Sequence, residues 1–294
     1  MTAALALGCG PDPEAVPFLR TERCPTGECA ADGGVSDAAP EPIVDEPLED
    51  WDEEGAGLLT GIFAVEATIR ARVVIEIETR QIFRLRIVQR GRSIKQKVTL
   101  CSFKLPVVED VATLHISPAI IALMRSKVIE SEGDFLSSES LLGAEYDPPP
   151  ALVVVGADLA DPKADPLPTE EDTSLAIDED GDGHPGVTLS ADVLTCKNRE
   201  QLYVALRTSA GLAGVVKTPD LISGEADVAL DQSPLGYSDP CMSTVSKINI
   251  LIEPGSTFRA VRTSAADDID GNGNVSCPEL ARRGEALFGE YWAE

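Results

Sequence analysis

The sequence predicts a mainly β fold, an antiparallel barrel or sandwich that ends in a short C-terminal helix. Apolar and polar residues alternate with a period of two over residues 65–100. Short apolar runs separated by Gly, Pro, Asn and Asp follow over residues 152–252, and a capped helical pattern begins after residue 276. Period-two alternation places apolar side chains on one face of a strand. Many short strands joined by turns are typical of closed or sandwich-like all-β proteins.

The alternation is clearest at the start of the body. The residues on its apolar face are Val65, Ala67, Ile69, Ala71, Val73, Ile75 and Ile77. Residues 83–87 and 94–100 continue the pattern with Arg or Lys between the apolar positions. We therefore predict an antiparallel meander. Its basic residues would either pair with interleaved Glu residues across strands or form an anion-binding patch, and pairing is the simpler account.

The remaining elements follow from local signals. Pro118 favours the first turn of a helix over residues 119–129. The later strand-like runs are residues 152–155, 175–177, 187–194, 202–206, 214–216, 226–230 and 247–252. We divide the folded part into a β-rich body over residues 56–255 and a terminal strand, loop and helix over residues 256–294.

Charge limits the classes of partner. The chain has 50 Asp and Glu against 24 Lys and Arg, which gives a formal net charge of -26. Such a charge argues against nucleic acid or an anionic membrane surface as the partner and favours divalent cations as counter-charge. No apolar stretch approaches the roughly 20 residues that a membrane-spanning helix needs.

The N-terminus ends a short apolar run with Gly8 and Cys9. This arrangement resembles the end of a bacterial lipoprotein signal peptide, which implies that residues 1–8 are a signal-peptide remnant and that Cys9 carries the lipid. The alternative is a short apolar terminus with a chance cysteine. Residues 9–55 are rich in Pro, Gly and acid, so we predict a disordered, extended tether.

Cysteine content agrees with an oxidising compartment. Removing Cys9 from the seven cysteines leaves six, which can pair completely. Their spacing contains no Cys-x-x-Cys pair and so does not indicate zinc. The connectivity stays open, although proximity suggests Cys24 with Cys29, and Cys241 is the first partner to test for Cys277.

The clearest functional pattern lies in residues 268–279. Oxygen-bearing side chains recur there at fixed intervals: Asp268, Asp270, Asn272, Asn274, Ser276 and Glu279. The spacing resembles the calcium loop of the EF-hand family, which has ligands at positions 1, 3, 5, 7, 9 and 12 and glycine at position 6, here Gly273. The resemblance implies a Ca2+ site that Glu279 closes with both carboxylate oxygens, while Asn274 supplies its carbonyl.

The flanks of this loop are unequal. Ser276 and Glu279 form a capping-box pattern with Pro278 in the first turn, so a helix should follow. Residues 256–263 before the loop have the pattern of a strand, where the EF-hand family has a helix. We therefore expect one EF-hand-like loop between a strand and a helix, and a structural role for calcium.

A second set of candidate ligands lies in and beside an acidic loop at residues 178–183: Asp178, Asp180, Asp182 and His184. The loop resembles the Asp-x-Asp-x-Asp-Gly calcium loops found outside true EF-hands. Position 12 is Leu189, so the closing glutamate is missing. Completion would require water or a carboxylate from elsewhere, namely Glu171, Asp172 or Asp192. The alternative is an Asp- and Gly-rich turn without metal.

Signals for catalysis are few. The two histidines are His115 and His184. The sequence has no serine-hydrolase elbow, phosphate-binding glycine loop or zinc-protease motif. We predict that the chain is not an enzyme and that His115 is a satisfied structural residue.

These patterns together predict a calcium-binding lipoprotein of the bacterial cell envelope, either anchored in the outer membrane or secreted. Calcium ions and the lipid anchor are the partners indicated. The alternative function is a lipocalin-like barrel that binds a small apolar ligand, which the alternating strands would also allow.

Overall fold

The computed structural model describes residues 56–72, 76–104, 112–194, 196–243 and 250–289. Four predictions lie outside the described residues: the signal-peptide remnant at residues 1–8, the lipid-bearing Cys9, the tether at residues 9–55, and the pairing of Cys24 with Cys29.

The described elements are twelve strands, three helices and one 3-10 turn. The strands are β1 (Gly61–Arg72), β2 (Glu76–Arg90), β3 (Ser93–Lys104), β4 (Ala112–Ile116), β5 (Ile129–Gly133), β6 (Glu145–Tyr146), β7 (Ala151–Val155), β8 (Val187–Val193), β9 (Glu200–Thr218), β10 (Leu221–Tyr237), β11 (Leu251–Ile252) and β12 (Thr257–Arg262). The helices are α1 (Pro118–Ser126), α2 (Cys277–Arg282) and α3 (Gly284–Phe288), and the 3-10 turn is Pro240–Ser243. None of the helices within these ranges has the length and apolar character needed to cross a membrane.

The strands form a single antiparallel sheet that curls into a half-barrel. Its main path runs β4-β8-β9-β10-β12-β1-β2-β3-β5. Strands β8, β7 and β6 pair in turn along the long strand β9. The short strand β11 pairs with the last residues of β1, and β12 pairs with the earlier ones. The predicted mainly β, antiparallel fold with a short C-terminal helical segment is thereby confirmed.

The N-terminal meander has the register that the alternation predicts. Strands β1, β2 and β3 follow each other as neighbours, with Val65 opposite Phe83 and Leu85 opposite Val98. Gly91 makes the tight turn between β2 and β3 at φ +61°, a conformation that glycine adopts without steric cost. Sequential hairpins of this kind need only local contacts, which explains why pattern alone located them.

Elsewhere the observed elements differ in length from the predicted ones. The predicted strands at residues 202–206 and 214–216 are parts of one continuous strand, β9. The predicted helix at residues 119–129 ends at Ser126 because Ile129 begins strand β5. The residues before the acidic loop form no hairpin with β8; Ala176 makes an isolated bridge to Ala157 instead.

The main core fills the inside of the curl. Large members of this core come from β1, β2, β6, β10 and β12 and from the segment between β5 and β6: Phe63, Leu85, Ile87, Leu136, Tyr146, Ile222 and Phe258. Tyr146 is fully buried, and its hydroxyl donates to Gln96 Oε1 at 2.5 Å. A buried hydroxyl needs such a partner because an unsatisfied one costs about 1 to 3 kcal/mol.

The opposite face of the meander is covered by residues 264–289, which we call the C-terminal module. A second apolar cluster joins the module to strands β1, β2 and β3: Ala64, Ile82, Cys101, Val275, Cys277, Leu280 and Phe288. The sequence pattern places the basic residues of the meander on an outward face in water, and this prediction is wrong for Arg84 and Arg86, of which only 8% and 7% is exposed. The module covers Arg84, which the strand pattern alone could not indicate.

Two disulfides are formed within the described residues. Cys101 of β3 pairs with Cys277 at the start of α2, and Cys196 pairs with Cys241 in the 3-10 turn. The suggested pairing of Cys241 with Cys277 is therefore wrong. The reason is topological, because the module packs over β3 whereas Cys241 follows β10 and faces the end of β8.

Candidate metal centres

The C-terminal loop gathers three of its predicted ligands. One carboxylate oxygen from each of Asp268, Asp270 and Glu279 lies within 4.8 Å of the other two. Strand β12 leads into this loop and α2 leads out of it, as the sequence predicts. The arrangement places acidic oxygens from both ends of the loop around one point.

Glu279 is held in position by the start of α2. Ser276 N donates to Glu279 Oε2 at 2.7 Å, and Glu279 N donates to Ser276 Oγ at 3.4 Å, so the capping box is present. Glu279 Oε1 accepts hydrogen bonds from Ile269 N and Asp270 N at 2.5 and 3.1 Å. One carboxylate therefore joins the start of the loop to the start of the helix.

The protonation of Glu279 suits a cation ligand. Only 5% of the residue is exposed, and this burial raises the pKa of its carboxyl group. The hydrogen bonds from Ser276, Asp270 and Ile269 outweigh burial and leave the pKa below its ordinary value. The side chain is therefore an anion at neutral pH although it is buried.

The rest of the loop wraps around Asp268. Its Oδ1 accepts from Asn272 N at 3.1 Å and its Oδ2 from Gly273 N at 2.8 Å. Gly271 and Gly273 have φ of +70° and +84°, which permits the sharp turn. Asn272 Oδ1 in turn accepts from Asn274 N at 2.7 Å. The loop is thus ordered by hydrogen bonds between its own side chains and main chain.

Arg84 fixes the far side of the loop, a contact that sequence reasoning missed. Its Nε donates to the Val275 carbonyl oxygen at 2.7 Å, and its Nη2 donates to Asn274 Oδ1 at 2.5 Å. A cation would therefore use the main-chain carbonyl of Asn274, in keeping with position 7 of an EF-hand loop. Nothing near Arg84 in the sequence marks this role, since the two segments are 190 residues apart.

The acidic loop at residues 178–183 repeats the same local pattern. Asp178 Oδ1 accepts from Asp182 N at 3.1 Å, and Asp178 Oδ2 accepts from Gly183 N at 2.8 Å, as Asp268 does with its fifth and sixth positions. Asp182 Oδ1 accepts from His184 N at 2.9 Å, as Asn272 does from Asn274. One oxygen from each of Asp178, Asp180 and Asp182 lies within 4.8 Å of the others.

Two of the three predicted completing carboxylates of this second loop, Asp192 and Asp172, are engaged elsewhere. Asp192 accepts hydrogen bonds from Arg199, and its Oδ2 lies 2.6 Å from His115 Nε2. Asp172 Oδ1 accepts from the main chain at Ser174. Neither carboxylate is placed among the three loop aspartates.

His184 and His115 serve the surrounding structure. The His184 ring stacks on Tyr203 with the ring centroids 4.2 Å apart, and its Nε2 lies 3.4 Å from the Tyr203 hydroxyl. Burial, followed by the charges of Asp182 and Glu200, raises the pKa of Tyr203. The His184 side chain therefore faces Tyr203, while its main chain belongs to the loop. His115 has a hydrogen-bond partner, Asp192, as expected for a structural histidine.

Comparison with known proteins adds no family. The chain matches no protein-family model, and comparisons with curated proteins and with solved structures give no significant match. The interpretation of both loops therefore depends on the residues of this chain.

Proposed function

We propose that this protein binds calcium at residues 268–279 and that the ion has a structural role. The observation that supports this proposal is the convergence of Asp268, Asp270 and the buried Glu279 within 4.8 Å. Calcium takes six to eight oxygen ligands, which carboxylates, main-chain carbonyls and water provide. An ion at this point would also neutralise acidic groups in a chain whose net charge is -26.

The surroundings of the loop favour a structural calcium site over a calcium sensor. A sensor needs an exiting helix that can move when the ion binds. Here the start of α2 is tied to β3 by the Cys101–Cys277 disulfide, and Arg84 holds the main chain at Val275. Structural sites in extracellular proteins typically have dissociation constants on the order of 0.1 to 1 mM.

Glu279→Gln tests the site: the amide oxygen of glutamine still completes the capping box, while its amide nitrogen cannot accept the hydrogen bonds that Ile269 N and Asp270 N donate to Glu279, so the fold of the variant is checked by its denaturation curve without calcium. At about 10 mM calcium, a dissociation constant of roughly 0.1 to 1 mM stabilises the folded wild type by about 1.4 to 2.7 kcal/mol. Chemical denaturation of the wild type with and without calcium should show this increase in the free energy of unfolding, and the variant should not show it. In calorimetry, the variant should lose the calcium binding that belongs to the C-terminal loop. Glu285→Gln, at an exposed position in α3, is the matched control. Unchanged calcium binding in Glu279→Gln would refute the proposal.

We also propose that the protein is a lipoprotein of the bacterial cell envelope, anchored through Cys9. The Cys101–Cys277 and Cys196–Cys241 disulfides support this location because such bonds persist in oxidising compartments. The test is detergent phase partition after expression in a bacterial host, with a complete lipoprotein signal sequence placed before Cys9 in both proteins. The wild type should enter the detergent phase and Cys9→Ser the aqueous phase; equal partition would exclude the anchor.

The alternative of a lipocalin-like ligand site receives no support from the curled sheet. The inside of the curl, where an apolar ligand would bind, is filled by the main core that includes Phe63 and Tyr146. We therefore do not propose a small-molecule ligand.

A further inference from the structure

Two buried oxygen atoms beside the acidic loop have no hydrogen-bond partner within the described part of the chain. They are Asp180 Oδ1 and Thr188 Oγ1. Only 7% of Thr188 is exposed, so water does not reach its hydroxyl freely. Buried polar atoms are nearly always paired, because leaving one unpaired costs about 1 to 3 kcal/mol. Two such atoms in neighbouring residues indicate that a ligand binds between them.

Thr188 lies on the face of the sheet that the acidic loop covers. Its main-chain N–H donates to Asp180 Oδ2 at 2.9 Å, which places the two residues side by side. Thr188 is the cross-strand partner of Tyr203, and directly opposed residues point to the same face. The ring of Tyr203 stacks on His184 of the same loop. The side chain of Thr188, with its buried and unpaired hydroxyl, therefore lies on the face that the loop covers.

The loop's own donors do not satisfy Asp180 Oδ1. The main-chain N–H groups of residues 181–184 donate to Asp178 and Asp182, and that of Glu179 donates to the Gly186 carbonyl oxygen. Asp180 Oδ1 can only accept hydrogen bonds or bind a cation when it is ionised, and its neighbours in the group are two further carboxylates. A cation removes both the unpaired acceptor and the repulsion among the three charges.

We infer that residues 178–188 hold a calcium ion between the carboxylates of the three loop aspartates and the hydroxyl oxygen of Thr188. The hydroxyl is a neutral oxygen ligand at position 11 of the segment, next to the position where an EF-hand loop has glutamate. Water completes the ligand shell. The ion joins the loop to β8, and this site shares no residue with the proposed site at residues 268–279.

The test is a calcium titration of the metal-free, full-length chain carrying Glu279→Gln, which silences the C-terminal loop. Calorimetry should still detect one site in this background. Adding Thr188→Val, which replaces only the hydroxyl by a methyl group, should weaken that site by at least about tenfold, the scale on which outer partners of metal ligands already act. Thr257→Val, at an exposed position in β12, is the matched control and should leave the affinity unchanged.

Terbium provides a second measurement that locates the ion. Terbium binds the same hard oxygen ligands, and a nearby tyrosine ring sensitises its luminescence. Tyr203 stands against the loop, so Tyr203→Phe should lower the luminescence of the Glu279→Gln protein while the calcium affinity stays within about twofold. Equal luminescence with and without Tyr203 would place the ion elsewhere and overturn the inference.

Asp180→Asn covers the case in which Thr188→Val does not fold, and the exposed Asp147→Asn is its control. Loss of all calcium binding in Glu279→Gln alone would overturn the inference and leave the C-terminal site in place. Binding that survives Glu279→Gln unchanged but is weakened by Thr188→Val or Asp180→Asn would support the inference and refute the proposed function. Unchanged affinity in a folded Thr188→Val or Asp180→Asn protein would also overturn it.

Discussion

Removal of the Cys101–Cys277 disulfide should weaken both the fold and calcium binding at residues 268–279. The bond joins residues 176 positions apart. In the chain-entropy model, closing a loop of this length stabilises the folded state by about 5 kcal/mol, and measured effects are typically smaller, about 2 to 4 kcal/mol. Domains unfold with only about 5 to 15 kcal/mol, so the loss is a large fraction of the total.

The effect on calcium follows from the position of Cys277 inside the loop. Without the bond, the loop keeps its own hydrogen bonds but loses the covalent tie at Cys277, so ion binding must order the residues next to Cys277. Ordering even one additional backbone residue costs about 1 to 2 kcal/mol. Calcium affinity should therefore fall by at least about fivefold.

The assay is urea denaturation and calcium calorimetry on Cys101→Ala/Cys277→Ala. The control is Cys196→Ala/Cys241→Ala, which removes a disulfide that lies away from the C-terminal loop. This bond closes a loop of 45 residues, and the same model gives it a stabilisation of about 4 kcal/mol. The control should lose stability but keep its affinity at residues 268–279. Equal calcium affinity in the two double variants would refute the idea that the disulfide preorganises this loop.

Two further changes test contacts on either side of the sheet. Arg84→Met removes the donors to the Val275 carbonyl oxygen and to Asn274 Oδ1. The change should cost about 1.5 to 3 kcal/mol in urea denaturation, the range for hydrogen bonds with a charged partner, and should also lower calcium affinity. Unchanged calcium affinity would show that this contact does not support the site. Burial raises the pKa of the Asp192 carboxyl, but hydrogen bonds and charges from Arg199 and His115 outweigh it, so the folded-state pKa lies below the ordinary 3.8. The ionised Asp192 carboxylate therefore stabilises the folded state above pH 3.8, and this stabilisation is lost as pH falls through the lower pKa of the folded state. Asp192→Asn should make the free energy of unfolding depend less on pH below 3.8. An unchanged pH dependence in that range would contradict this account.

The sequence could predict elements whose contacts are local. The meander of β1, β2 and β3 depends on alternation and on a turn at Gly91, and both are visible in a few residues. The hydrogen bonds that Asp268, Asn272, Asp178 and Asp182 accept from the main chain of the two loops join groups only two to five residues apart, such as Asp268 with Gly273. Both loops therefore have the backbone form that their Asp and Gly spacing indicates.

Contacts over long separations could not be predicted in the same way. Cys277 has no local signal for Cys101, and nothing beside Arg84 shows that it reaches the C-terminal loop. The suggested partner Cys241 was wrong because the packing of the C-terminal module over β3 depends on an apolar cluster shared by four distant segments. Such a cluster has no period in the sequence.

The two loops also differ in whether their closing ligand is local in sequence or comes from a residue placed by the fold. In the C-terminal loop the closing group, Glu279, is within the twelve-residue pattern, and its carboxylate already accepts three main-chain hydrogen bonds. The acidic loop has Leu189 at that position, and its closing group must come from the fold. Thr188 is adjacent in sequence to that leucine, but its orientation toward the loop follows only from the pairing of β8 with β9. Each loop has three carboxylates, so the difference lies in the closing group: Thr188 offers one neutral oxygen, whereas Glu279 can offer two carboxylate oxygens. The acidic loop should therefore bind calcium more weakly than the C-terminal loop, and in a titration of the wild type it should fill second.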